Sequence, residues 1–105
     1  MFMDKIIVNK RIKVDKRKLV SLCQEYNVTS LKIFGSIARG EEKVNSDIDI
    51  LVKFENPISL LKLIQLEQKL SELFARKVDL VTEQALSPYI RSEILTNARE
   101  IYELP

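Results

Sequence analysis

Two aspartates separated by one residue lie inside an apolar segment, at Asp47 and Asp49 in the run SDIDILVKF. Aspartate is uncommon in β-strands, and like charges on one strand face repel each other. In a strand, residues i and i+2 point to the same side, so these carboxylates would lie roughly 7 Å apart on one face. Such a pair can bind one divalent cation or two, and Mg²⁺ prefers oxygen ligands from carboxylates and phosphates. The pair therefore predicts a magnesium site.

A Gly-Ser pair precedes the aspartates, with ten residues between the two motifs. Gly35 allows the backbone to approach a ligand closely because it has no Cβ. We expect Ser36 and the amides after it to donate hydrogen bonds to phosphate oxygens. Arg39, one turn further on, could pair with the same phosphates. The chain has no G-x-x-x-x-G-K-[ST] motif, so this is not a Walker-type phosphate loop.

A third aspartate, Asp79, lies in another short apolar run, KVDLV. If its strand lies beside the strand of Asp47 and Asp49, the three carboxylates form one cluster. Three acidic groups repel each other in the absence of metal, and a bound cation removes that cost. Asp79 is therefore a candidate third metal ligand or a general base.

The hydrophobic pattern predicts an α+β fold whose elements could position these residues. The predicted helices are 15–26, 59–74 and 88–98, and the predicted strands are 31–34, 47–54 and 77–81. The long helix between the second and third strands favours a right-handed parallel crossover. Its predicted apolar stripe consists of Leu60, Leu63, Ile64, Leu66, Leu70, Leu73 and Phe74.

Composition excludes several functional classes. The chain has 105 residues, 46% of them hydrophobic and 30% charged, which is typical of one globular domain. It contains no histidine, so histidine-based catalysis and histidine-bound zinc are excluded. Cys23 is the single cysteine, which predicts a buried, unpaired thiol in a reducing cytoplasm. The sequence shows no apolar run long enough for a transmembrane helix or a secretion signal, so we expect a cytoplasmic protein without membrane contact.

Charge is distributed unevenly along the chain. The first 18 residues carry a net charge of +5, whereas the remainder carries −3. We predict a basic N-terminal arm over residues 1–14 and a single catalytic domain over residues 15–105. The arm could contact nucleic acid or an acidic partner, but a solvated segment explains the charges more simply, so direct nucleic-acid binding is not predicted.

The spacing of these motifs resembles the signature of the nucleotidyltransferase superfamily typified by DNA polymerase beta. The string FGSIARGE…SDIDILV, followed after one long helix by KVDLV, is similar to the minimal nucleotidyltransferases of prokaryotes over about residues 15–102. The resemblance implies a small fold with a three- or four-stranded mixed sheet. It implies that Gly35 and Ser36 hold a nucleoside triphosphate and that Asp47 and Asp49 bind Mg²⁺, with two ions expected. Asp79 would be the third carboxylate, as a metal ligand or a base.

The resemblance also implies a biological role. Stand-alone minimal nucleotidyltransferases are usually the antitoxin of a two-gene module, with an all-helical HEPN-type toxin as partner in a hetero-oligomer. Family members transfer AMP from ATP to a tyrosine of that toxin. Two other functions stay open: a non-catalytic partner that masks the toxin, and a small-molecule adenylyltransferase. The missing substrate domain disfavours the second of these.

Overall fold

A computed structural model describes residues 5–7, 12–38 and 47–104, with the backbone alone for residues 5–7, 36 and 37. Within these ranges the strands are β1 (Lys5–Ile7), β2 (Lys13–Asp15), β3 (Val28–Phe34), β4 (Ile48–Phe54), β5 (Val78–Thr82) and β6 (Arg99–Glu103). The helices in the same ranges are α1 (Lys16–Glu25), α2 (Gly35–Ala38), α3 (Leu60–Phe74) and α4 (Pro88–Asn97), with a 3₁₀ turn at Glu83–Ala85. The predicted α+β class is confirmed.

The main sheet of the described residues has four strands in the order β5-β4-β3-β6. β3 pairs antiparallel with both β4 and β6, whereas β4 and β5 are parallel. A parallel pair needs a long crossover connection, and α3 provides it, as the sequence predicted. The sheet is therefore mixed and four-stranded, which confirms the predicted architecture.

Local sequence signals set the ends of the helices. Asp15 caps α1, because its carboxylate accepts hydrogen bonds from the backbone N–H groups of Arg17 and Lys18. Ser59 caps α3 in the same way through the N–H of Lys62. Asn27, which lies just after the end of α1, adopts a left-handed conformation with φ of 57°. The predicted helix boundaries are accordingly close to the observed ones.

The hydrophobic core lies between the main sheet and two helices, α1 and α3. Its fully buried large side chains include Leu19 and Cys23 from α1, and Leu66 and Leu70 from α3. The strands contribute Leu31, Ile33, Ile48, Ile50, Val52 and Val78. Because side chains alternate along a strand, this arrangement leaves the other face of β4 for the acidic residues.

Two short strands lie at the N-terminal end of the described residues. β1 and β2 pair antiparallel, with Ile6 opposite Val14. The side chains of Ile12 and Val14 are each only 2% exposed and belong to the hydrophobic core. Part of the segment from 1 to 14 is therefore packed against the domain, and the boundary between arm and domain stays a prediction.

The predicted apolar stripe of α3 is only partly buried. Leu66, Leu70 and Phe74 face the core, but Leu60 is 71% exposed and Ile64 is 42% exposed. The first turn of α3 borders an open recess, where Leu60 and Leu61 are exposed, whereas Leu63 packs against the core. Helices in the described ranges lack the length and hydrophobicity of a membrane-spanning segment.

Candidate functional site

Asp49, the acidic residue of β4, lies on the face of the sheet opposite the core. Ile48 and Ile50 are fully buried between the sheet and its helices. Asp49 lies between them in the strand and therefore points to the other face, where it is half-buried. Asp47 directly precedes the strand, and its side chain is 49% exposed. The alternation predicted from the sequence is the one observed.

Asp49 and Asp79 are neighbours across the parallel strands. The register pairs Asp49 with Asp79, between the core pairs Ile48–Val78 and Ile50–Leu80. Paired strands lie about 4.8 Å apart, and paired residues share a face of the sheet. The structure therefore brings together two predicted carboxylates that are 30 positions apart in the sequence.

Gly35 lies directly beside the carboxylate of Asp49. β3 places Phe34 opposite Asp49, and the chain then turns at Gly35 with φ of +76°. A Cβ at position 35 would lie 3.1 Å from Asp49 Cγ and closer still to Oδ2. The glycine is thus required both for its left-handed backbone and for the space that Asp49 occupies. Sequence reasoning predicted a close approach to a ligand but missed this contact.

The other two predicted phosphate-binding residues are less fully described. Ser36 follows Gly35 in α2, and only its backbone belongs to the described part of the chain. Arg39 lies outside the described residues. Their predicted roles rest on the sequence motif and stay predictions.

Two α3 side chains hold β5, the strand that carries Asp79. The hydroxyl of Ser71 accepts a hydrogen bond from the N–H of Val78 at 3.0 Å and donates one to the carbonyl of Glu67 at 2.8 Å. The carboxylate of Glu67 accepts a hydrogen bond from the N–H of Leu80 at 2.9 Å. These side chains satisfy N–H groups of β5 that would otherwise lack partners. Neither residue is predictable as a site support from the sequence, because polar residues on a helix give no signal of their strand partners.

Lys77 is the basic residue nearest to the predicted acidic cluster among the described ion pairs. Its Nζ lies 3.8 Å from Oδ2 of Asp47. The carbonyl of Lys77 accepts a hydrogen bond of 2.9 Å from the N–H of Ile48, which joins the two chain segments at this point. The sequence analysis missed Lys77. Its position two residues before Asp79 was the available signal, since such residues share one face of a strand.

The carboxylates form an open site on one side of the sheet. Among the described residues, no group of three acidic or cysteine side chains lies close enough together to hold a metal ion, so a metal here would have at most two of these carboxylates and would need other ligands. Asp49 and Asp79 are paired, whereas Asp47 lies two residues before Asp49, beside Lys77. All three offer carboxylate oxygens, which Mg²⁺ prefers, and Mg²⁺ is usually held by one or two carboxylates together with substrate phosphates. The donor set therefore fits a magnesium ion that a bound phosphate completes.

An open recess lies at the opposite end of β4 and β5 from the acidic residues. Its volume is about 630 Å³, and its walls include Phe54, Pro57 and Thr82. Because β4 and β5 are parallel, Phe54 and Thr82 mark the far ends of the strands from Asp49 and Asp79. Among the predicted site residues that the structure describes, none lines the recess, so the acidic face is the better candidate for chemistry.

A small mixed sheet with acidic residues on neighbouring strands, beside a Gly-Ser turn, is the arrangement expected of a nucleotidyltransferase. The nucleotidyltransferase domain family matches residues 16–101, and the chain belongs to this family. It is 53% identical over 74 residues to a Methanocaldococcus jannaschii protein named as a predicted protein adenylyltransferase, covering 70% of this chain and 76% of the relative. It is 45% identical over 74 residues to the protein adenylyltransferase MntA of Thermococcus cleftensis, covering 70% and 75%.

Solved structures agree with this assignment. A structure described as a predicted minimal nucleotidyltransferase superposes with a TM-score of 0.68 at 36% identity, covering 83% of this chain and 87% of that chain. A toxin–antitoxin crystal structure with AMP-PNP gives a TM-score of 0.70 at 25% identity, covering 87% and 75%. A complex of a tri-AMPylated HEPN toxin with its MNT antitoxin, from Shewanella oneidensis, shares the fold with a TM-score of 0.62 at 22% identity, covering 85% and 70%.

Proposed function

We propose that this nucleotidyltransferase transfers AMP from ATP to a tyrosine of a HEPN-type toxin and thereby acts as its antitoxin. The pairing of Asp49 with Asp79 beside Gly35 is the observation that carries the proposal, because it provides carboxylates on an open face next to a phosphate-binding motif. Relatives named protein adenylyltransferases support the choice of AMP and of a protein acceptor. Since the reaction consumes ATP, we expect it in the cytoplasm.

Two carboxylates would hold the metal in this proposal. Asp47 and Asp49 would bind Mg²⁺, with two ions expected from the family resemblance, and Asp79 would act as the base beside them. When bound, Mg²⁺ would neutralise phosphate charge and polarise the phosphoryl oxygens. Gly35 and Ser36 would hold the triphosphate beside Asp49, and Arg39 would pair with its outer phosphates.

The proposed step is an in-line substitution at the α-phosphorus of ATP. The tyrosine oxygen forms a bond to the α-phosphorus, and the bond from that phosphorus to the bridging oxygen of the β-phosphate breaks, so that pyrophosphate leaves. Asp79, which is exposed on the open face, accepts the proton of the tyrosine hydroxyl. Positioning and charge neutralisation supply most of the rate in such transfers, so a small domain with few reacting groups is sufficient.

Intact-mass spectrometry tests this function. The chain is incubated with its cognate HEPN-type protein, ATP and Mg²⁺, and we expect the toxin to gain about 329 Da for each AMP transferred. Asp49→Asn should abolish the gain, because it removes one metal-binding charge. Glu93→Gln, which neutralises an exposed acid on α4, is the matched control and should leave the transfer intact.

The same experiment separates the proposed enzyme from a masking partner. If the toxin is bound and inactive but keeps its unmodified mass, the chain is a masking partner and the transfer proposal is wrong. Peptide mapping then identifies the acceptor, and a modified residue other than tyrosine would refute the proposed acceptor while leaving the transfer itself in place.

A further inference from the structure

Two pairs of charged residues lie at the start of β4 and β5. Asp49 is paired with Asp79 in the parallel register. Asp47 and Lys77 directly precede these two strands, and the N–H of Ile48 donates a hydrogen bond to the carbonyl of Lys77. The Nζ of Lys77 lies 3.8 Å from Oδ2 of Asp47, so the two charged groups meet close to the pair of Asp49 and Asp79.

The pair of Lys77 and Asp47 is not explained by stability. The side chains are 77% and 49% exposed, and their charged atoms are 3.8 Å apart. Exposed ion pairs contribute about 0–1 kcal/mol, since water and salt screen them. A lysine on a flexible four-carbon stem can also leave such a contact readily. The lysine does, however, reduce the negative charge of a face that carries three carboxylates.

We propose that Lys77 is a counter-ion that Mg²⁺ displaces from Asp47 and that then binds the phosphates of the nucleotide. This inference rests on the proposed function and names how metal binding at that site is regulated. Without nucleotide, the ammonium group of Lys77 competes with Mg²⁺ for Asp47. With nucleotide, the phosphate oxygens give the released ammonium group a new partner. Metal and nucleotide therefore bind with positive coupling, and the metal binds weakly on its own.

Lys77→Met tests the inference, because it removes the charge and keeps an unbranched side chain. Thermal melts across a Mg²⁺ titration without nucleotide report metal binding apart from activity. Loss of a positive charge about 4 Å from Asp47 should lower the half-saturating Mg²⁺ concentration roughly two- to fivefold, as expected for an exposed pair. With Mg²⁺ saturating, the affinity for AMP-PNP should fall by a similar factor, because the phosphates lose a charged partner. Lys77→Arg should bind both ligands nearly as the wild type does.

Lys62→Met is the matched control, since Lys62 is an exposed lysine in the first turn of α3. It should change neither affinity. If Lys77→Met leaves both affinities unchanged while the wild type binds Mg²⁺ and AMP-PNP, the inference about Lys77 is wrong and the proposed function stands. If Lys77→Met lowers the affinity for Mg²⁺ as well as the affinity for AMP-PNP, the counter-ion role is likewise refuted. If the wild type binds neither ligand, the proposed function itself fails.

Discussion

Replacement of Gly35 by alanine should damage both the fold and the site. At φ of +76°, a residue with a Cβ is strained by about 1–2 kcal/mol. The new Cβ would also meet the carboxylate of Asp49, and forcing that side chain off its rotamer costs about 0.5–1.5 kcal/mol. The lower entropy of the unfolded alanine chain offsets about 0.4–1 kcal/mol. The net loss of unfolding free energy is therefore about 0.5–3 kcal/mol, or roughly 2–24 °C in melting temperature.

A double-mutant cycle separates the backbone strain from the contact with Asp49. In an Asp49→Ala background, the carboxylate that Gly35→Ala would displace is absent, so the alanine at position 35 should cost about 0.5–1.5 kcal/mol less than in the wild type. Ala75→Gly provides a matched backbone control, because Ala75 already adopts a left-handed conformation with φ of 54° at the end of α3. Ala75→Gly removes a Cβ from a left-handed backbone position, whereas Gly35→Ala adds one. It therefore measures the backbone strain alone, at a position away from the carboxylates.

Chemical denaturation of the four variants of the cycle measures these free energies. A thermal melt with and without Mg²⁺ and ATP measures how much the ligands stabilise each variant. We expect Gly35→Ala to lose most of the ligand-induced stabilisation, since the displaced Asp49 can no longer meet the metal in its native position. An equal cost of Gly35→Ala with and without the Asp49 carboxylate would show that the contact is unimportant. Wild-type stability of Gly35→Ala would refute the reasoning about both strain and contact.

Two further predictions concern the support of the site and the core. Ser71→Ala leaves the buried N–H of Val78 without its partner and should lower the unfolding free energy by about 1–3 kcal/mol, measured by denaturation against exposed Ser92→Ala as control. Burial raises the pKa of the Cys23 thiol from 9.0 to about 12, so native protein should react with a thiol reagent at pH 8 only as fast as it unfolds. Because the unfolded thiol ionises first, this group should also make stability fall as the pH rises from 9 towards 12, and Cys23→Ala should reduce that fall.

The candidate site was predictable where it depended on strand alternation and on one crossover. The alternating isoleucines of β4 assign one face to the core, which leaves Asp49 on the other. A helix of 15 residues between β4 and β5 makes the strands parallel, and the central position of Asp79 in its short apolar run then brings it close to Asp49. Local pattern and connectivity were sufficient for this pair.

Sequence patterns failed where the outcome depended on contacts between distant segments. Leu60 and Ile64 continue the apolar period of α3, but they are 71% and 42% exposed, and Leu60 borders an open recess. β6 is short and rich in charge, and its assignment as a strand depends on pairing with β3. The contact of Gly35 with Asp49 similarly requires the register of two strands, which no local pattern contains.

The pair of Asp49 with Asp79 and the pair of Lys77 with Asp47 differ in how firmly they are held, and this difference bears on the proposed mechanism. Asp49 and Asp79 lie within the strand ladder, and Ser71 and Glu67 fix β5 from its other side, so the backbone sets their separation. The contact between Lys77 and Asp47 involves exposed side chains, so it can change without any movement of the backbone. Asp49 and Asp79 can therefore hold a cation in a constant position. The contact of Lys77 with Asp47 changes with the ligand that is present. On the proposed function, a rigid backbone with one adjustable lysine is enough to make metal binding depend on the nucleotide.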